Sequence, residues 1–168
     1  KVTAKGNFTG TREIKLAITN DTLMSKAKIS KIAAQAYTGA AITPDVVVKV
    51  GKDTLEKDKH YTVEYSDNIA VGTATVTVKA IAGSGYVGEK TATFKINGTA
   101  LKTAKIAGIE KAYDYTGSQI VADAKLTVGD KVLVADTDYT VEYTNNIDAG
   151  KATVVFTGIG GYTGTVKK

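Results

Sequence analysis

The chain has 168 residues, no cysteine and a single histidine, and its 22 basic and 17 acidic residues give a formal net charge of +5. The lack of cysteine excludes disulfides, thiolate metal sites and thiol nucleophiles, and one histidine excludes paired-histidine metal sites within the chain. Its 43% hydrophobic and 23% charged residues are typical of a globular protein. No stretch reaches the roughly 18 to 20 apolar residues of a membrane span. Composition therefore predicts a folded protein without membrane insertion.

An internal repeat organises the chain. Matched segments recur at a constant spacing, interrupted by one two-residue difference in length. They are Tyr37-Thr38-Gly39 with Tyr115-Thr116-Gly117, Tyr61-Thr62-Val63-Glu64-Tyr65 with Tyr139-Thr140-Val141-Glu142-Tyr143, and Phe8-Thr9-Gly10-Thr11 with Tyr162-Thr163-Gly164-Thr165. The repeat predicts that residues 1–20 are the C-terminal part of a preceding repeat. Residues 21–98 then form a first repeat, and residues 99–168 form a second whose last strand is truncated.

In chain order, each repeat contains short segments with the two-residue period of a β-strand that buries one face. Turn residues separate them, and Asn and Gly in the loops that start at Ser66 and Thr144 predict hairpins. In the first repeat, strands are predicted at 28–33, 42–50, 61–65, 74–80 and 90–96. No segment has sustained helical periodicity.

These elements predict an all-β fold of tandem small antiparallel β-sandwich repeats, immunoglobulin-like in outline. The junctions at 20–29 and 97–106 contain neither proline nor a Gly/Ser run. A flexible linker is therefore not expected, and the neighbouring repeats of the chain are predicted partners of one another.

The second repeat also resembles a known family. Asp138-Tyr-Thr-Val-Glu-Tyr-Thr-Asn-Asn, followed by Ala149-Gly-Lys-Ala-Thr-Val and Gly160-Gly-Tyr-Thr-Gly, is similar to a repeat of large surface and secreted proteins of Gram-positive bacteria, notably gut clostridia. The resemblance covers nearly the whole chain. It implies bacterial immunoglobulin-like modules placed between a functional head and a wall anchor. The first repeat departs from the motif at His60 and at Ser66-Asp67.

Tyrosine is the residue type most suggestive of a binding site, because exposed aromatic rings bind sugars. Eight of the nine tyrosines form repeat-matched pairs, which favours structural packing for them: 37 with 115, 61 with 139, 65 with 143, and 86 with 162. Tyr113 is the exception, since its counterpart is Gln35. Tyr113 is therefore the single candidate ligand contact.

Two acidic loops are candidate metal sites. The first contains Asp53, Glu56 and Asp58, and the second contains Asp130, Asp136 and Asp138. Neither has the ligand spacing of a calcium loop, so solvated hairpins and no bound metal or cofactor are expected. His60 is likewise expected to be solvated, and a Lys-Asn-acid isopeptide bond is not favoured, because Glu64 and Asn68 fall on a polar face and in a turn.

No catalytic set is found. The chain lacks a Ser-His-acid combination, a phosphate-binding glycine loop and paired carboxylates in distinct environments. Nucleic-acid binding is not expected either, because Arg12 is the one arginine and arginine usually carries phosphate recognition. We therefore expect a protein that is not an enzyme.

The predicted function is a stalk or spacer in an extracellular protein at the cell wall or surface of a Gram-positive bacterium. The alternative is an adhesin or a carbohydrate-binding module, accessory to an extracellular glycan-degrading enzyme in one version. Its partners would be host or plant glycans or surface proteins, and tandem copies would increase the avidity of weak sites.

Overall fold

The structure, a computed structural model, describes residues 2–3, 6, 11–12 and 20–168. The match at Phe8 and most of the predicted preceding repeat at 1–20 lie outside the described residues. Within the described part the chain is all-β and contains no α-helix, as the sequence predicts.

Short strands follow one another along the described chain. They are β1 (Val2–Thr3), β2 (Thr11–Arg12), β3 (Thr22–Leu23), β4 (Lys28–Ile29), β5 (Gln35–Ala36), β6 (Val48–Val50), β7 (Asp53–Thr54), β8 (Tyr61–Ser66), β9 (Gly72–Ala80), β10 (Tyr86–Val87), β11 (Glu89–Asn97), β12 (Thr99–Ala100), β13 (Lys105–Ala107), β14 (Lys125–Val128), β15 (Lys131–Val132), β16 (Tyr139–Thr144), β17 (Thr153–Gly158), β18 (Tyr162–Thr163) and β19 (Thr165–Lys167). Single-turn 3-10 helices at Met24–Lys26 and Leu101–Thr103 follow β3 and β12.

The strands form several small sheets. Among the described residues the strand orders are β1-β2, β3-β10, β4-β6-β7, β5-β11-β9-β8, β12-β18, β13-β14-β15 and β16-β17-β19. The pairs β3 with β10, β5 with β11, and β12 with β18 are parallel. The prediction of purely antiparallel sheets is therefore wrong at these contacts. Each joins a short early strand to a strand much later in the chain, a pairing that a hairpin does not produce.

We call residues 21–98 the first segment and residues 99–168 the second segment. In the first, β9 pairs antiparallel with both β8 and β11. Ala74, Val76 and Val78 are fully buried on one face of β9, which confirms the two-residue period predicted for this strand. Strand β11 confirms the prediction at 90–96.

Each segment has a central apolar cluster, and several of its members correspond at the repeat spacing. The central cluster of the first segment is Met24, Ala27, Val48, Leu55, Tyr61 and Val78. That of the second is Leu101, Leu126, Leu133, Tyr139, Val154 and Phe156. The first segment also has an end cluster of Ala74, Phe94 and Ile96, against which Ile32, Tyr37, Ile42 and Tyr65 pack.

Two strand predictions are too long. In place of 28–33 and 42–50, only Lys28–Ile29 and Val48–Val50 pair as strands. Pro44 has no backbone N–H to donate to a ladder, and Ile42 is bound to the hairpin at Asn68 instead. The intervening chain is therefore irregular.

The predicted hairpins are present. Strands β8 and β9 pair through the loop that begins at Asp67, and β16 and β17 pair through the loop that begins at Asn145. Asp67 and Asn145 have φ values of 54° and 56°, a conformation that Asp and Asn tolerate better than most residues. These side chains explain why the turns form where they do.

Candidate functional site

Tyr113 lies in the irregular stretch between β13 and β14, and its side chain is 43% exposed. Its hydroxyl oxygen accepts a hydrogen bond from the backbone N–H of Glu110 at 2.9 Å. The phenol is therefore engaged within its own loop, while the residue stays partly exposed.

Tyr113 and Tyr115 line a groove of about 550 Å³ on the second segment. The groove runs between the 109–122 stretch and the 143–154 hairpin and reaches Lys168. Tyr115 is 67% exposed, although its repeat match favoured packing. Tyr61 and Tyr139 do follow the packing prediction, since both are buried. Of the two tyrosines that line the groove, the sequence predicts a ligand contact for Tyr113 alone, and this stays a prediction.

The walls of the groove are fixed by hydrogen bonds. The Asn146 side-chain amide donates to the Ile120 carbonyl at 2.7 Å, and the Ile120 N–H donates to the Asn146 carbonyl at 2.8 Å. The Tyr143 hydroxyl donates to the Ala122 carbonyl at 3.0 Å. These contacts hold the 120–122 stretch beside the hairpin, so Asn146 has a structural role.

Equivalent contacts occur in the first segment. The Asn68 side-chain amide donates to the Ile42 carbonyl at 3.0 Å, and the Tyr65 hydroxyl bonds to the Pro44 carbonyl. There the space beside these residues is filled by Phe94 and Ile96, which are 3% and 2% exposed. The second segment has the same walls, and at the repeat spacing the positions of Phe94 and Ile96 fall beyond Lys168.

The groove combines apolar and charged side chains. Ile120 and Tyr143 contribute partly buried apolar surface, and charged side chains stand among the lining residues. These are Glu110, Lys111, Asp148, Lys151 and Lys168. The groove lining contains no cysteine, serine or histidine nucleophile.

The acidic loops are occupied by internal contacts. Glu56 forms an ion pair with Lys59 at 3.0 Å, and hydrogen bonding to that lysine lowers the pKa of Glu56. Asp138 is nearly buried and accepts from the Val134 N–H at 3.0 Å and from Lys131 at 3.3 Å. Across the described residues no group of three His, Cys, Asp or Glu side chains is arranged to hold a metal ion.

His60 takes the position that Asp138 has in the second segment. Its Nδ1 accepts from the Glu56 N–H at 2.8 Å, and its ring lies edge-on to Tyr86 with centroids 5.7 Å apart. The side chain is half-buried. The expectation of a solvated histidine is therefore wrong, because the imidazole nitrogen replaces a carboxylate oxygen as the acceptor of the turn.

Glu64 is exposed and pairs with Lys79 at 2.6 Å. Hydrogen bonding to this glutamate raises the pKa of Lys79. The pair lies on the solvent face of β8 and β9. An isopeptide bond would instead need an asparagine, a lysine and an acidic residue buried together.

A second groove, of about 590 Å³, lies where the two segments meet. The Tyr37 ring covers Gly161 so closely that a Cβ built on that glycine would lie 2.6 Å from Cδ1 of Tyr37. A Cβ on Gly98 would lie 2.8 Å from the Gly161 carbonyl and 3.0 Å from a Val71 methyl. The two segments are thus in direct contact through small residues.

Lys131 borders the junction groove. Its Nζ lies 5.1 Å from the centre of the Tyr162 ring, and contacts with Tyr162 and Asp138 raise the pKa of Lys131. The Lys131 ammonium group is therefore engaged with the Tyr162 ring and the Asp138 carboxylate.

In the part of the chain that the structure describes, no helix has the length and apolar character to cross a membrane. Comparison of the chain with protein-family models, with curated proteins and with solved structures gives no match.

Proposed function

We propose that this chain is part of a non-catalytic stalk, in which small immunoglobulin-like β-sandwich repeats hold a functional head away from the surface of a Gram-positive bacterium. Residues 21–98 and 99–168 are the proposed consecutive repeats. In this proposal, each repeat adds length, and its contact with the next limits bending.

The observation that carries the proposal is the contact of the two segments. Tyr37 lies on Gly161, and Gly98 is enclosed between Val71 and Thr163. A flexible tether would separate the two units by a solvated linker. Here Gly98, at the connection, is packed against Val71 of the first segment and Gly161 of the second, which supports a semi-rigid array.

The resemblance to clostridial surface repeats supports the extracellular location. Matched hydrogen bonds of Asn68 and Asn146, each to an isoleucine carbonyl, support the assignment of two related units. Charges of both signs on the surface would keep such an array hydrated, and the chain has no cysteine.

Backbone amide relaxation of the 168-residue protein tests the stalk proposal. Packed segments tumble together, so residues of both should have the same rotational correlation time. Tyr37→Ala should separate the two correlation times, whereas Tyr115→Ala, the exposed repeat-matched tyrosine, should leave them equal. Independent tumbling of the unsubstituted segments would overturn the proposal.

One observation favours the alternative of a carbohydrate-binding module or adhesin: Tyr113, which has no repeat-matched tyrosine, is 43% exposed beside a groove. A binding screen against host glycans, plant polysaccharides and mucin tests it, with Tyr113→Ala alongside. Saturable binding weakened by the substitution would favour the binding module over the stalk. No binding at millimolar ligand would exclude this alternative for the screened glycans.

A further inference from the structure

We propose that Asn97 is a site of spontaneous covalent modification, and that the contact between the two segments controls the rate of the reaction. The Asn97 side chain is converted to aspartate and isoaspartate through a cyclic imide formed with the backbone nitrogen of Gly98. The inference requires only the contact around Gly98 and holds whether or not the protein is a stalk. It makes Asn97 a covalent record of how often the two segments separate.

The sequence provides the reactive pair of residues once. Asn97-Gly98 is the single Asn-Gly step in the chain, and glycine hinders imide formation least, because it has no side chain beside the attacking nitrogen. Asn20-Asp21 stands at the same position of the repeat, and there an aspartate side chain shields that nitrogen. The Asn97 side chain is also exposed. Asn97 therefore has the greatest intrinsic tendency of the asparagines in the chain to react.

The reaction needs water and no cofactor. The Gly98 backbone nitrogen attacks the side-chain carbonyl carbon of Asn97 and loses its proton, a C–N bond forms, and the side-chain nitrogen leaves as ammonia. Water then opens the imide at one of its two carbonyls. One opening gives aspartate, and the other gives isoaspartate, in which the main chain runs through the former side chain. No group is oxidised or reduced.

The strand end holds the backbone away from the geometry of ring closure. The peptide between Asn97 and Gly98 must rotate before its nitrogen can reach the side-chain carbonyl carbon. That rotation would carry the Asn97 carbonyl away from the Tyr37 N–H, which donates to it at 2.9 Å. Asn97 is also the last residue of β11 and pairs there with Ala36 of β5. The intact strand end therefore slows the reaction.

The second segment encloses the other side of Gly98. The Thr99 N–H donates to the Gly161 carbonyl at 2.8 Å, and Gly98 is partly buried. A Cβ built on Gly98 would lie 2.8 Å from that carbonyl and 3.0 Å from methyl carbons of Val71 and Thr163. Little space is left for the peptide to turn. Because both segments contribute to this enclosure, their separation should release the constraint and allow the ring to close.

Modification should weaken the contact that delays it. Isoaspartate adds a methylene to the main chain between β11 and β12, where Gly98 is the single connecting residue. Both products also replace a neutral amide with a carboxylate in the junction groove, which Asn97 lines. Close-packed contacts do not absorb an added methylene without strain. A modified chain should therefore have a looser junction.

The experiment ages the 168-residue protein beside a peptide of residues 93–101 in the same neutral buffer. Peptide mapping by mass spectrometry and labelling with an isoaspartyl methyltransferase measure the conversion at Asn97. The peptide should react about 10- to 100-fold faster than the folded protein, the ratio that the opening free energy of a local packed contact implies. Asn97→Gln should abolish the signal, because glutamine would have to close a larger ring.

Junction variants test whether the contact controls the rate. Tyr37→Ala and Gly161→Ala alter the junction from opposite segments, and each should accelerate conversion in the protein about fivefold or more. Gly161→Ala keeps the Tyr37 ring in the end cluster, and amide spectra establish that each variant is folded. Tyr115→Ala, the exposed repeat-matched tyrosine, should leave the rate unchanged. Equal rates in the peptide and the protein, or no acceleration in either junction variant, would overturn the proposal.

Discussion

The turn before β8 and the turn before β16 use different side chains as the same kind of acceptor. His60 Nδ1 accepts from the N–H four residues earlier, and Asp138 Oδ2 does the same. In both turns the backbone N–H of the acceptor residue also donates back to the carbonyl of that earlier residue. An unprotonated imidazole nitrogen and a carboxylate oxygen are both acceptors, so the sequence difference leaves the turn intact.

Substitution at His60 tests this equivalence. His60→Asp should change the free energy of unfolding by no more than about 0.5 kcal/mol, because an acceptor remains. His60→Ala should cost about 1 kcal/mol, as expected when a hydrogen bond is lost. Urea unfolding at neutral pH measures both. Equal losses in the two variants would show that the acceptor is unimportant and that the ring contact with Tyr86 dominates.

Buried tyrosine predicts a limit of stability at alkaline pH. Burial, and then the negative charges of Asp58 and Asp45, raise the pKa of Tyr61. An unfolded tyrosine ionises at about pH 10. The contribution of the buried, un-ionised Tyr61 phenol to the free energy of unfolding is therefore complete below that pH. It is lost as the pH rises through the higher pKa of Tyr61 in the folded state.

Tyr61→Phe should reduce this alkaline loss, because phenylalanine does not ionise. The variant should cost about 1 kcal/mol at neutral pH through the lost hydrogen bond to the Val46 carbonyl. Its free energy of unfolding should then fall less steeply above pH 10 than that of the unsubstituted protein. Tyr115→Phe is the matched control at an exposed position. Parallel curves for Tyr61→Phe and the unsubstituted protein would contradict the prediction.

At the scale of elements, the second half of β11 builds the end cluster of the first segment. In the first segment it continues past Ala92 to pair with the start of β9 and to bury Phe94 and Ile96. The Phe94 ring meets Tyr65 edge-on with centroids 6.4 Å apart. The end cluster therefore depends on the last residues of a single strand.

Phe94→Ala should destabilise the protein by about 3–5 kcal/mol, the usual cost of removing a buried aromatic ring. Lys95→Ala, its exposed neighbour on the same strand, should change stability by about 0.5 kcal/mol or less. Chemical unfolding followed by far-ultraviolet circular dichroism compares them. Similar losses in the two variants would show that the end cluster contributes little.

The strands that the sequence predicted well are those with long alternation. The sequence predicts β9 from the alternation of Ala74, Val76 and Val78, because only a period of two buries all three side chains on one face. The two-residue strands β3 and β12 carry no periodicity, and their parallel partners lie far along the chain. Pro44 in the sequence does not by itself show that the predicted strand at 42–50 is interrupted. The interruption also depends on the hydrogen bond between Ile42 and Asn68, which the sequence does not reveal.

The groove was only partly predictable. The break in the match with Gln35 singles out Tyr113 in the sequence, and its role as a ligand contact stays a prediction. Tyr115 was assigned to packing because Tyr37 matches it, and Tyr37 is covered by Gly161. The exposure of Tyr115 does not follow from local pattern, since it depends on what lies beside the ring in space.

At the scale of the whole molecule, the junction depends on a glycine. Gly161 does not have a positive φ, so alanine could adopt the same backbone conformation. Its lack of a side chain matters instead because Tyr37 occupies the space of a Cβ. Close packing makes such a contact sensitive to a single methyl group.

A double-mutant cycle at the junction provides the last prediction. Gly161→Ala alone should destabilise the protein by about 1–3 kcal/mol, because the methyl group forces the Tyr37 ring to move. In the Tyr37→Ala background the same change should cost much less, since the clash has been removed. The difference is the coupling energy of the contact. The parallel cycle with Tyr115→Ala should give additive losses within about 0.5 kcal/mol. Additive losses in the Tyr37 cycle would mean that the two segments do not press on each other in solution, and the semi-rigid array would lose its structural basis.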